Sequence, residues 1–286
     1  MTADPGYRKT VDRIAATGLW LAAGLVCATF GLLVADIIRY GVGELSWEYF
    51  TGVPADAGRA GGIAPVLVST VLILMVCLGA AVPVGLAAAV FLAECARRYG
   101  PVVRGVRHSL NLLAGMPSIV IGLFGNAFFS VVLGLGFSIL AGGLTLACMV
   151  LPIFVRTAEQ ALRAVPDDYR MQAAALGLSL RTTLVRVLLP VAMPGIAAGL
   201  ILGIGRAVAE TAALVFTSGY VDRMPESLFD SGRALSVHIF DLAMNVPGGD
   251  RRAYAAALVL LGVLVVSYAV VQAVSRRIAP PREHAL

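Results

Sequence analysis

The chain has 286 residues, of which 59% are hydrophobic and 14% charged, whereas an ordinary soluble domain carries about a quarter charged residues; a soluble globular protein is excluded. The formal net charge of +5 is not a nucleic-acid signature, because the basic residues sit in the gaps between apolar runs, where they report topology. Cys27, Cys77, Cys95 and Cys148 form no CxxC pair and have no histidine at ligand spacing, so neither a disulfide framework nor a metal centre is expected, and they read as small apolar packing residues.

In chain order, an N-terminal arm over residues 1–15 carries Arg8, Lys9 and Arg13 and leads into an apolar run that continues to about Ile38 without a small-residue cleavage site. It reads as a retained helix. Six helical spans are expected at 16–38, 65–93, 109–133, 135–155, 188–217 and 253–275, each near the roughly 20 apolar residues that cross a hydrocarbon core. Unpaired backbone groups cannot face lipid, so the fold class is all-α integral membrane with about six transmembrane helices. Residues 16–275 form one membrane domain and 276–286 a tail.

Basic residues collect on one side of the six-span model. They are the arm's three, then Arg97, Arg98, Arg104 and Arg107, then Arg163, Arg170, Arg181 and Arg186, then Arg276, Arg277 and Arg282. The positive-inside bias makes that side, with both termini, cytoplasmic. Asp36, Glu44, Glu48, Asp56, Asp222, Glu226, Asp230, Asp241 and Asp250 gather on the opposite side with Trp47, Tyr49, Phe50, Tyr220, Phe229 and Phe240. Those aromatics are either interfacial anchors or a docking surface for an outside partner.

Uphill transport needs an energy source, and the common nucleotide motors carry GxxxxGK[ST]. The only lysine is Lys9, with no such glycine pattern before it, so this chain is not an ATPase of that type. Either a separate motor or an ion gradient drives it.

Between the fourth and fifth spans, Pro166 and Asp167 read as a helix start and Gly177 as an interruption, giving two short helices with a glycine bend. The alternative is an ordinary amphipathic helix on the membrane surface. The stretch QAAALGLSLRTTLVRVLLPVAMPGI, Gln172 to Ile196, resembles the coupling motif of type I ABC importer permeases. In it Gln172, Ala173 and Ala174 fall in the EAA region as coupling candidates, Gly177 matches the motif glycine, and Leu189 and Pro190 match its Leu-Pro. The sequence departs from the motif at the acidic position six before the glycine, which is Met171. The resemblance implies a MetI-like fold in a bacterial cell membrane, with a cytoplasmic coupling helix that docks on a partner ATPase. This chain then carries no cofactor, ATP and magnesium belonging to the partner.

Arg206 and Glu210 stand four residues apart in the fifth span, so on a continuous helix they share a face and can pair. Ionisable groups at that depth cost at least about 2.5 kcal/mol each and by default mark a pathway; a purely structural ion pair is the competing reading. Arg156, near the inner end of the fourth span, is a second pathway candidate or a snorkelling arginine. Pro117 should break the third helix. Asn111, Ser118, Asn126 and Ser130 line the path or make interhelical hydrogen bonds. His108, His238 and His284 are assigned no chemistry.

Three stretches, Gly61 to Val71, Leu110 to Phe124 and Gly205 to Leu214, are similar to the phosphate-specific ABC permeases of the PstA family. The resemblance implies phosphate as cargo, with Arg206, Glu210 and Arg156 on its path. It also implies a sister permease PstC, a PstB ATPase dimer and a phosphate-binding protein PstS as partners, in a mechanism of alternating access. The alternatives are the sister permease itself, a permease for sulfate or molybdate, a gradient-driven carrier and, last, a membrane enzyme.

Overall fold

The computed structural model describes the backbone of residues 5–94 and 100–279, and side chains from Asp12 onward within those ranges. The side chains of Arg8, Lys9, Cys95, Arg97, Arg98, Arg282 and His284 lie outside the described residues. Helix α1 (Pro5–Gly41) leads through α2 (Trp47–Thr51) and a two-stranded antiparallel hairpin, β1 (Pro54–Ala55) with β2 (Ala60–Gly61), into α3 (Ala64–Glu94). Next come α4 (Gly100–Gly115), α5 (Ser118–Gly125, prolonged by a π-helix Asn126–Val132) and α6 (Ile139–Arg163). The short helices α7 (Asp167–Ala175) and α8 (Leu180–Thr183, prolonged by a π-helix Leu184–Leu188) follow, and then α9 (Leu189–Ala209) and α10 (Ala212–Val215). The chain closes with α11 (Leu235–Met244) and α12 (Asp250–Ile278).

Among the described residues, five helices are long and apolar enough to cross a membrane, and the bent pair α4–α5 passes the same test when its two helices are taken together. The chain is thus a multi-pass, all-α membrane protein. The span boundaries differ from those read in the sequence for identifiable reasons. The expected 109–133 span is two helices meeting at 106°, because Pro117 has no N–H to donate and bars Met116 from helical backbone. The fourth span starts at Ile139 rather than 135 and runs to Arg163 rather than 155. Gly134 and Gly136 take positive φ (69° and 61°), and Ser138 caps the new helix by accepting from Ala141 N at 3.1 Å. The fifth breaks after Ala209 and resumes as α10. At the N-terminus, helix begins at Pro5, so residues 5–15 extend the first span's helix.

Helix α6 is the axis of the bundle, packed chiefly against α3 and α9. Small residues bring these helices close. A Cβ on Gly143 would meet Val76 of α3 at 2.5 Å, and Cβ atoms on Gly195, Gly199 and Gly203 of α9 would meet Ala161, Thr157 and Val150 of α6 at 2.5, 2.8 and 2.7 Å. In lipid such packing replaces the hydrophobic drive that water would supply. By contrast, the apolar stretch of α1 has no buried residue, and the helix meets the bundle where Gly41 lies against the Tyr254 backbone of α12. Cys77 is buried as a packing residue, whereas Cys27 lies on the open face of α1.

The two ends of the bundle differ. At the cap end, α2, the hairpin and α11 cover the span ends around Tyr49, Ile63, Val66 and Leu235. The cap also holds arginines, each beside a carboxylate: Arg233 with Asp222 and Asp241 (3.6 and 3.5 Å), Arg252 with Glu44 (3.3 Å), and Arg59 with Asp56 (2.7 Å). Burial pushes the Tyr49 phenol up to about 12 despite Arg252 over its ring. Burial, aided by Arg233, pushes His238 down to about 4. At the coupling end, the chain reverses through α7 and α8.

Candidate functional site

Arg206 lies in the last turn of α9 on its open face, four residues beyond Leu202 and eight beyond Ala198, all exposed. Among the described residues it makes no hydrogen bond or ion pair. The expected Arg206–Glu210 pair is not formed. Glu210 is already extended (φ −76°, ψ 128°), its carboxylate accepts from Ala213 N at 3.3 Å to open α10, and its carbonyl accepts from the Ser236 hydroxyl of α11 at 2.6 Å. A side chain that caps the next turn competes with continuing the helix. The break therefore leaves the guanidinium without its counter-ion.

The other pathway candidates fall on neighbouring elements. Arg156 is exposed on α6 and donates to the side-chain amide oxygen of Asn111 on α4. The α6–α9 register, Val150 beside Gly203 and Thr157 beside Gly199, sets Arg206 nearer the cap end than Arg156. Asn126 is an interhelical tie, donating to Phe216 O at 2.7 Å. The Ser130 hydroxyl is buried and has no hydrogen-bond partner among the described residues. Ser118 opens α5 directly after Pro117. Helices α5 and α10 run side by side, with Gly122 against Ala213 and Asn126 against Phe216. One turn earlier, this alignment brings Ser118 to the level of the break at Ala209–Glu210. Two helix breaks and Arg206 thus stand within about a turn of one level along the bundle, and ion paths are commonly built at such broken helices.

At the coupling end the two short helices form as the sequence reading expects. Asp167 and Asp168 occupy the first turn of α7, where carboxylates suit the helix dipole. Its end is closed by Gly177 N to Ala174 O and Leu178 N to Ala173 O, both 3.0 Å, the paired bonds of a left-handed terminus; Gly177 has φ 68°. Pro190 cannot donate, and the turn before it widens into the π-helix, closed by Leu189 N to Leu184 O. Ala173 faces the bundle, while Gln172 and Ala174 face outward with Met171, Leu176 and Leu180, the last 90% exposed.

This architecture matches known proteins along its length. Residues 81–280 fit the family model of the binding-protein-dependent transport system inner membrane component. The chain belongs to this family. A probable ABC transporter permease, YqgI, of Bacillus subtilis is 34% identical over 278 residues, covering 92% of this chain and 94% of that one. The phosphate transport system permease protein PstA of Mycobacterium leprae is 37% identical over 204 residues, covering 71% and 66%. PstA 2 of Mycobacterium bovis is 31% identical over 263 residues, covering 89% and 84%. Among solved structures, a bacterial ABC transporter that imports alginate superposes with a TM-score of 0.62 at 14% identity, covering 96% of this chain and 99% of that one. The inward-facing MetNI methionine transporter superposes with a TM-score of 0.57 at 16% identity, covering 77% and 95%. Both likenesses concern the fold.

As an inner-membrane component of this family, the chain is a permease subunit and not itself the catalyst of ATP hydrolysis. Its coupling end holds two carboxylates the sequence reading did not single out, Glu159 and Glu94. Glu159 of α6 is buried and bonded to Arg107 of α4 (2.6 Å) and Arg163 (3.0 Å). Arg170 of α7 reaches Glu94 of α3 at 2.7 Å, and this carboxylate holds its pKa above the ordinary arginine value. Arg170 thus turns toward the bundle, and Arg163, although exposed, is tied to Glu159 and Leu92 O, whereas Arg181 and Arg186 are exposed and have no ion pair among the described residues. Glu159 alone carried a local signal, its i,i+4 spacing to Arg163.

Proposed function

We propose that the chain is the phosphate-conducting membrane subunit of an ATP-driven importer, taking the role that PstA proteins have in the phosphate transport system. In this reading it pairs with a sister permease of the PstC kind and receives phosphate from a PstS-like binding protein at the cap end. A PstB-like ATPase dimer, which holds ATP and magnesium, drives it from the coupling end. The coupling end and both termini are cytoplasmic, in line with the basic residues there.

The observation that carries the proposal is Arg206, an uncompensated guanidinium on an open helix face at the depth of two helix breaks. A charge at such a depth is not left against lipid, so this face borders an aqueous path or the sister subunit. A guanidinium offers planar paired donors matched to an oxyanion. Binding that is favourable yet escapable suits conduction, and Arg156, already shared with Asn111, supplies a weaker second contact. Resemblance to relatives named for phosphate transport favours phosphate over sulfate or molybdate. The exposed Met171, Leu176 and Leu180 give the ATPase an apolar surface in place of the usual acidic contact.

The test is labelled phosphate uptake by proteoliposomes holding this chain with its sister permease, ATPase and binding protein. ATP-dependent uptake that excess sulfate and molybdate do not compete is the expected result. Competition by either anion transfers the cargo assignment to it, and uptake without ATP contradicts the importer reading.

A further inference from the structure

The Arg170 guanidinium sits where three segments of the coupling end converge. Besides the 2.7 Å bond to Glu94 Oε1, its Nε lies 3.4 Å from the other carboxylate oxygen, a two-point grip on the last residue of α3. The same group donates to Leu162 O at 3.0 Å and Val165 O at 2.9 Å, one carbonyl in the last turn of α6, which also takes a long 3.4 Å bond from Val165 N, and one just beyond it, where helix-end carbonyls need outside donors. It also touches Asp167 at 3.4 Å within its own helix. One side chain of α7 is thereby bonded to the ends of both α3 and α6, the most extensively packed helix pair. Arg163 adds a second tie between the same two helices by donating to Leu92 O at 2.9 Å.

The covalent links of α7 are short, and the downstream one turns on a glycine. Upstream lie only Ala164, Val165 and Pro166. Downstream is Gly177, with φ 68° and no atom within 4 Å of where its Cβ would stand. A helix held only by those two joints can pivot when pushed. Charge-assisted, multiply bonded arginine contacts resist pivoting, and a lysine at the same place cannot reproduce the fork.

We propose that Arg170 is a positioning residue for energy coupling: locked onto Glu94 and the α6 carbonyls, it makes the docking helix a rigid extension of the α3–α6 pair, so that movement of the ATPase reaches the transmembrane pathway instead of being absorbed at Gly177. This rests on the ATP-driven reading above. Because Arg170 points into the bundle, its loss leaves the exposed docking surface of Met171, Leu176 and Leu180 in place.

The test is the number of phosphates moved per ATP hydrolysed by the full complex in proteoliposomes, for wild type, Arg170→Ala, Arg170→Lys and Glu94→Gln. For Arg170→Ala the expected result is hydrolysis close to wild type with phosphate per ATP lowered by about tenfold, within the usual range of coupling energies. Smaller losses are expected for Arg170→Lys and Glu94→Gln. A residue that merely holds the fold together would lower assembled complex, hydrolysis and uptake in step; an unchanged ratio in Arg170→Ala overturns the proposal. Should Arg170→Ala not assemble, Glu94→Gln decides: a lowered ratio supports the strut and an unchanged one overturns it. Uptake by the wild-type complex without ATP would instead bring down the importer reading, and the strut with it.

Discussion

Three arginines at the coupling end and two along the open helix faces are treated in opposite ways by the fold. Arg107, Arg163 and Arg170 each meet a carboxylate within 3.0 Å. Arg156 has only a neutral amide, and Arg206 has no partner among the described residues. Pairing is cheap where the chain has carboxylates to spend on holding helices together, and the deeper site had one within reach, four residues from Arg206. The backbone break directs Glu210 elsewhere. A compensated arginine is a fastener; an uncompensated one at depth remains available to an anion that comes and goes.

The contrast can be broken first at its fastened side. Glu159→Ala leaves Arg107 and Arg163 facing each other without a counter-charge. Removing one member of a buried charge cluster costs about 3–5 kcal/mol, and the lower end applies because both arginines are nearly half exposed. Thermal unfolding of the purified protein in detergent should show the loss, with a smaller one in Glu159→Gln.

The next effect lies at the cap end. Burial keeps His238 neutral, at about 4 against an ordinary 6.5, with Arg233 adding to the depression and Asp222 and Asp241 opposing it. The unfolded chain therefore takes up this proton first as the pH falls. Stability that is full above about pH 6.5 declines toward pH 4, by on the order of 3 kcal/mol in all. Melting temperatures across this window should flatten in His238→Gln.

Gly177→Ala is smaller, about 1–2 kcal/mol for a side chain in the left-handed region, because nothing surrounds the added methyl. It should lower uptake more than it lowers the melting temperature of the bundle. Smallest is Arg59→Ala at the exposed hairpin, whose pair with Asp56 is open to water; its melting temperature should match wild type.

Much of the coupling end and the spans was legible in the sequence because its signals are local. Pro117 removes a backbone donor and restricts Met116, Gly177 permits a left-handed terminus, and apolar runs of span length have few other fates in lipid. Long-range partners were not legible. Spacing put Glu210 beside Arg206, but the competing bonds from Ala213 and Ser236 come from the next helix and from α11, 26 positions away. Glu94 and Arg170 stand 76 positions apart, and no periodicity links them. The cap, with a buried His238 against a positive-φ Gly58, likewise depends on segments meeting across the fold.

The measurement that bears most directly on the central claim is the initial rate of labelled phosphate uptake by the assembled complex carrying Arg206→Ala or Arg206→Lys. Truncating a charge that pairs with a buried ionic partner costs about 2–5 kcal/mol. The Arg206→Ala complex should therefore assemble and hydrolyse ATP while its uptake falls by at least about thirtyfold, with Arg206→Lys in between. Uptake at the wild-type rate in Arg206→Ala would contradict the assignment of this arginine to the phosphate path.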